Sequence, residues 1–199
     1  MVISEVSLKA GTELLRKLWA YAAYAQGTRN SEVSGFGEVD VNNCVVTVND
    51  NFHMIKQQGG VVGTHLDMGA LANLIHHYTE TSQNPKKLRF WFHTHPGNVF
   101  FSWTDDETIK KLTEWGLDPL VAGVFNEQGE SRWAVVRHGQ RVLEVDFKVP
   151  GEPLSSEELG RAKRVIDPIL TVKSTARWAW SGYDDDSWMK SWGFKSRRR

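Results

Sequence analysis

The sequence predicts an α/β fold, a mixed β-sheet sandwiched by helices. Two observations predict it. Helical and strand-like hydrophobic periods interleave along the chain, but without the regular strand–helix–strand beat of an all-parallel sheet. A third helical stretch is then followed by three strand-like segments joined only by short turns, at Gly129 and at His138-Gly139.

The elements follow in order. Residues 12–25 predict a helix, because Leu14, Leu15, Leu18, Trp19, Ala22 and Ala23 recur at helical spacing. Thr12 is the expected cap and Gly27 the expected stop. Residues 36–41 and 44–49 predict a hairpin around Asn42-Asn43, a pair that tolerates left-handed backbone. Gly60–Leu66 predicts a short strand. Asp67 is then placed to cap a second helix, whose face carries Leu71, Leu74, Ile75 and Tyr78 and which Asn84-Pro85 ends. Leu88–His95 alternates, with Leu88, Phe90 and Phe92 on one face and Arg89, Trp91, His93 and His95 on the other. Thr104 and Glu107 suggest a capping box for a third helix at about 105–115. Leu120–Phe125, Ser131–Val136 and Arg141–Val149 are the three closing strands. Residues 155–172 predict one more helix, interrupted by Pro168.

The texture changes after Pro150. Residues 1–150 read as one domain, and residues 151–199 as a helical and flexible tail. The tail contains Trp178, Trp180, Trp188 and Trp192, the run Asp184-Asp185-Asp186 and a basic end. It is a candidate surface for a protein partner. At 199 residues the chain has room for one good core. Its 24 basic and 24 acidic side chains cancel, which removes the electrostatic argument for nucleic acid or an anionic membrane. No apolar run approaches the ~20 residues of a membrane span, and residues 1–5 lack a signal-peptide pattern. The lone Cys44 precludes an internal disulfide and a cysteine-rich metal site. The expectation is a cytoplasmic protein.

The chemistry concentrates in residues 93–105, His-Thr-His-Pro-Gly-Asn-Val-Phe-Phe-Ser-Trp-Thr-Asp. His93 and His95 are two apart on a strand, so their imidazoles share a face. Pro96 turns the chain, and Asp105 falls in the first turn of a helix that brings its carboxylate back. Three protein ligands leave the fourth tetrahedral position of a catalytic Zn2+ open for water. One carboxylate leaves the metal a net positive charge with which to acidify that water.

This pattern resembles the JAMM (JAB/MPN) zinc metalloprotease family, of cytidine-deaminase-like fold and, in this compact form, closest to its prokaryotic and phage-type members. The family motif is a distant Glu, then His-x-His-Pro, a short loop and Ser-x-x-Asp. Here those positions are Glu32, His93-Thr94-His95-Pro96 and Ser102-Trp103-Thr104-Asp105. The resemblance covers roughly residues 7–149, including the helix before Glu32 and the helix before the His-x-His strand. It implies Glu32 as general base and proton shuttle, and Ser102 as a hydrogen-bond donor to the oxyanion. The loop 97–101 is one residue shorter than the family's. Asp106 would restore the family's count, but Asp105 keeps Ser-x-x-Asp intact and is the favoured ligand. The resemblance further implies a metallopeptidase or isopeptidase that deconjugates or processes the C-terminal tail of a ubiquitin-like protein. The alternative is a non-catalytic scaffold of the same fold that binds a protein partner. Outside the motif, His76 and His77 read as helix-surface residues, and Trp91 as a neighbour of the metal face.

Overall fold

The computed structural model describes residues 6–60 and 63–172. The expected Trp-rich tail at 174–199 lies outside them. Ten strands and four α-helices are described: β1 (Ser7–Ala10), α1 (Thr12–Arg29), β2 (Ser34–Asn42), β3 (Val45–Met54), β4 (Gln57–Gly60), β5 (Gly63–Leu66), α2 (Met68–Glu80), β6 (Leu88–Thr94), α3 (Trp103–Glu114), β7 (Leu120–Phe125), β8 (Glu130–Arg137), β9 (Gln140–Lys148), α4 (Ser156–Ile166) and β10 (Leu170–Val172). The main sheet has seven strands in the order β1-β3-β2-β6-β7-β8-β9. It is mixed: β1 runs parallel to β3, and β6 parallel to β7, while the remaining neighbours are antiparallel. A second sheet, β10-β4-β5, has three strands.

Both faces of the main sheet are covered, as the α/β expectation requires. On one face Phe90 and Phe92 of β6 join Leu14, Leu18, Ala22 and Ala25 of α1 and Ala162 and Ile166 of α4. On the other, Trp91 of β6 joins Leu71 of α2 and Ile109 and Leu112 of α3. The period-2 alternation of β6 thus feeds two cores, and six of its seven residues are buried, Arg89 being the exception. Phe90 stacks on Trp133 at 4.9 Å, fixing the centre of the α1 side.

Several elements differ from expectation for identifiable reasons. The first helix runs past Gly27 to Arg29, because Asn30 adopts the left-handed conformation (φ 47°) and its N–H closes on Ala25 and Gln26 carbonyls. Its N-cap is Gly11, with no side-chain hydrogen bond, not Thr12. The third helix starts earlier than expected. Ser102, not Thr104, is its N-cap, and Asp105 completes the capping box. The expected strand Gly60–Leu66 is divided: Gly60 ends β4, Gly63–Leu66 forms β5 antiparallel to β4, and residues 61 and 62 lie outside the described residues. The last expected helix stops at Ile166, and residues 170–172 form a strand beside β4. Both α4 and β10 contribute side chains to the α1 core, and Arg16 of α1 pairs with Glu158 at 2.7 Å, so residues 156–172 are built into the same body. The hairpin of β2 and β3, the Asp67 cap and the β7–β9 meander stand where the sequence predicts them.

Candidate metal centre

The end of β6 and the start of α3 bring His93, His95 and Asp105 together. One ligand atom from each lies within 4.8 Å of the others. Asp105 reaches back because it is the third helical residue of α3. Its Oδ2 accepts hydrogen bonds from the Ser102 N–H and the Ser102 hydroxyl, both at 2.6 Å. The capping box therefore also aims the carboxylate. His93 Nε2 is 3.1 Å from Asp105 Oδ1, and His95 Nε2 is 3.3 Å from Oδ2. All three side chains are buried.

The donor set passes a test of fit for a metal ion. Both ring nitrogens of His93 are sealed from solvent, and neither makes a hydrogen bond of proper geometry, in spite of the short approach to Asp105. A buried imidazole nitrogen without a partner is costly unless something else satisfies it. A cation between Nε2 and the carboxylate would do so. Burial also pushes the His93 pKa down, which favours the neutral imidazole that a ligand must be. Burial alone would raise the Asp105 pKa, but the neighbouring His93 outweighs it, with His95 and Ser102 adding to the effect, and the carboxyl is held far below its usual range. The group is thus anionic and ready to ligate. Asp106 is not part of the cluster. It is half exposed and pairs with Arg141 of β9.

Glu32 stands beside this cluster, brought there by strand register. Ser34 of β2 is opposite His93 of β6, and continuing that antiparallel register places Glu32 opposite His95. The lead-in to β2 is clamped on both sides. Val33 N–H donates to Thr94 Oγ1 at 3.0 Å, Thr94 N–H donates to the Val33 carbonyl at 3.0 Å, and Glu32 N–H donates to the Gly60 carbonyl at 2.9 Å. Gln57 braces the same stretch. It accepts from Ser34 N–H at 2.7 Å and returns its amide to the Ser34 carbonyl at 2.9 Å. Glu32 is 6% exposed, and among the described residues nothing hydrogen-bonds to its carboxyl. Burial, and secondarily the charge of Asp105, push its pKa up to about 8.

No protein-family model matches the chain, and no curated protein does. The site therefore stands on its own geometry.

Around it, Trp91 stacks under His93 with ring centroids 4.3 Å apart, and its Nε1 donates to Ser34 Oγ at 2.9 Å. Phe100 meets His95 edge-on at 5.2 Å and is half exposed, and Trp103 is the most exposed large apolar side chain described. The loop 97–101 is tied at its base by Asn126, whose amide donates to the Gly97 carbonyl at 2.5 Å. The sequence reading singled out Trp91 but not Gln57, Thr94 or Asn126. Gln57 sits in Gln57-Gln58-Gly59-Gly60, which has no pattern of its own. A threonine between two histidines was the one available hint that the strand's opposite face also carries a polar contact. His76 pairs on the helix surface with Glu80 at 3.0 Å, apart from the site. Among the described residues, no helix is long and apolar enough to cross a membrane.

Proposed function

We propose that the protein is a zinc-dependent hydrolase of peptide or isopeptide bonds, in which His93, His95 and Asp105 hold the metal and Glu32 moves the proton. The single observation that carries this is a buried three-ligand cluster with, beside it, a buried carboxyl that has no hydrogen-bond partner among the described residues. A structural metal site is closed by a fourth protein ligand, and among the described residues this group offers three. Two imidazoles and one carboxylate suit zinc. A zinc ion held there would supply Lewis acidity, both to a water and to the carbonyl under attack.

The chain's own residues supply the rest. Glu32 takes a proton from the attacking water on its carboxylate and delivers it to the nitrogen of the departing amine. The low-dielectric setting that raises its proton affinity is what lets a carboxyl hold that proton in between. Ser102 holds Asp105 through both its N–H and its hydroxyl. Donation to the oxyanion requires the hydroxyl to turn from Asp105 toward substrate, and the N–H then keeps Asp105 in place. Trp91 and Phe101 wall the metal face and exclude water.

The resemblance of the motif to the JAMM metalloproteases supports the C-terminal tail of a ubiquitin-like protein as substrate, and the lone Cys44 fits a reducing, cytoplasmic setting. Zinc-loaded protein is expected to cleave fusions carrying such tails, and Glu32→Gln is expected to lose 10²–10⁴ in kcat, the usual contribution of a general acid–base group. Equal inertness of wild type and Glu32→Gln across a panel of fusions would refute the enzymatic reading and leave a partner-binding scaffold.

A further inference from the structure

Next to Glu32 is a cleft of about 160 Å³, lined by Gln26, Asn30, Ser31, Glu32, Pro96 and Glu127. It is smaller than the roughly 300–1,000 Å³ of a small-molecule pocket and suits one amino-acid side chain. Among the described residues its lining has two carboxyl groups and no lysine, arginine or histidine. Glu32 is more than nine-tenths buried and brings to the cleft a carboxyl that nothing in the described structure hydrogen-bonds. Gln26 Nε2, near the end of α1, also lacks a partner among the described residues. Glu127 has a backbone fixed from two sides: its carbonyl accepts from Trp19 Nε1 at 2.9 Å, and its N–H donates to Gln26 Oε1 at 3.2 Å. Its carboxylate meets only the Gln128 amide, at 2.9 Å, and no cation among the described residues.

Position gives this cleft a direction. Gln26 is on α1, which covers one face of the main sheet, while Phe100 and Trp103 precede or open α3, which covers the other. Glu32 and the metal ligands lie between these flanks at the sheet's end. A group that protonates a departing amine must come within about 2.6–3.2 Å of its nitrogen. If the chain attached to that nitrogen continues on the Glu32 side, it enters the cleft, and the acyl portion lies toward Phe100 and Trp103.

We propose that this cleft receives the residue on the amine side of the scissile bond, and that Glu127 selects a basic side chain there. The inference rests on the hydrolytic reading for its direction, but the cleft's preference for a cation is testable without turnover. The probes are lysine amide and glutamate α-amide, titrated into the full-length protein with and without zinc, followed by NMR at the Gln26 side-chain amide and the Glu127 backbone amide. Lysine amide is expected to shift both signals and to bind several-fold more tightly than glutamate α-amide. Glu127→Lys is expected to reverse that order, and Glu127→Gln to abolish it, on the scale of an exposed ion pair. A parallel arm cleaves peptides that share one acyl side and carry Lys, Ala or Glu after the scissile bond. Shifts absent from both amides, or an order of binding unchanged in Glu127→Lys, would overturn the proposal. Cleavage indifferent to that residue would also overturn it while leaving the hydrolase intact. Selective binding without any cleavage would sink the hydrolase and leave a cation-selective cleft.

Discussion

Glu32 is the residue with most at stake in the absence of metal. Its carboxyl belongs to a group whose pKa rises from 4.5 in the unfolded chain to about 8 in the fold, because burial and the Asp105 charge disfavour the anion. The native state therefore retains a proton that the unfolded chain loses above pH 4.5. Stability falls as pH rises from 4.5 toward 8, by up to about 1.4 kcal/mol per unit, and levels off once both states are ionised. Glu32→Gln removes this dependence. In chelator-treated protein, urea unfolding should show the variant gaining on wild type across that window, by a few kcal/mol at its upper end. A difference that does not change with pH would mean that the carboxyl is not buried as described. Ser102 gives a second prediction at this scale. Ser102→Ala removes an N-cap worth about 1 kcal/mol and a support of the Asp105 carboxylate worth about 10–100-fold in metal affinity. Calorimetric zinc titration should show the loss of affinity, and Ser102→Thr, which keeps the hydroxyl, should restore most of it.

At the scale of elements, the site depends on three backbones meeting closely. Gly59 of β4 leaves no room for a side chain. A Cβ there would lie 2.7 Å from the Glu32 carbonyl and 2.8 Å from Leu170 Cδ1, and would collide with Ser31 Oγ. Gly59→Ala should thus cost about 1–3 kcal/mol by overpacking and should displace the segment that carries Glu32. The expected result is a lowered Tm together with a larger fall in kcat than in zinc affinity, since the ligands lie on β6 and α3. Equal losses in both would place the effect elsewhere. The elements that the sequence discloses are those with long, regular periods: α2 with its Asp67 cap, β6, and the β7–β9 meander. The ones it hides are short or atypical. Residues 170–172 are too few for a period, and Gln57-Gln58-Gly59-Gly60 is poor in strand formers, so β4 exists because tertiary pairing overrides its composition. The metal triad was legible because its parts obey local rules, a period of two and a helix's first turn. Glu32 was legible only by resemblance, since its place depends on register between strands some sixty residues apart. The true cap, Ser102, was masked by a second acceptable pattern two residues later.

For the whole molecule, the two-faced sheet makes residues 156–172 part of the structure on which the site rests. Ile166 and Leu170 are almost fully buried, and burying each contributes about 1.5–3 kcal/mol. A chain truncated after residue 150 loses both, along with the Arg16–Glu158 pair and the parallel partner of β4. It should unfold at a markedly lower temperature than the intact chain. Binding of metal to the native state alone should raise stability by about 2.7 kcal/mol at a hundredfold excess over Kd. The hydrolytic reading presupposes the metal, so the most direct measurement is zinc per chain by elemental analysis, on wild type, His95→Ala and Glu32→Gln. The account predicts one zinc in wild type and in Glu32→Gln, and none in His95→Ala. Wild type that holds no zinc after reconstitution, or His95→Ala that holds as much as wild type, would contradict it.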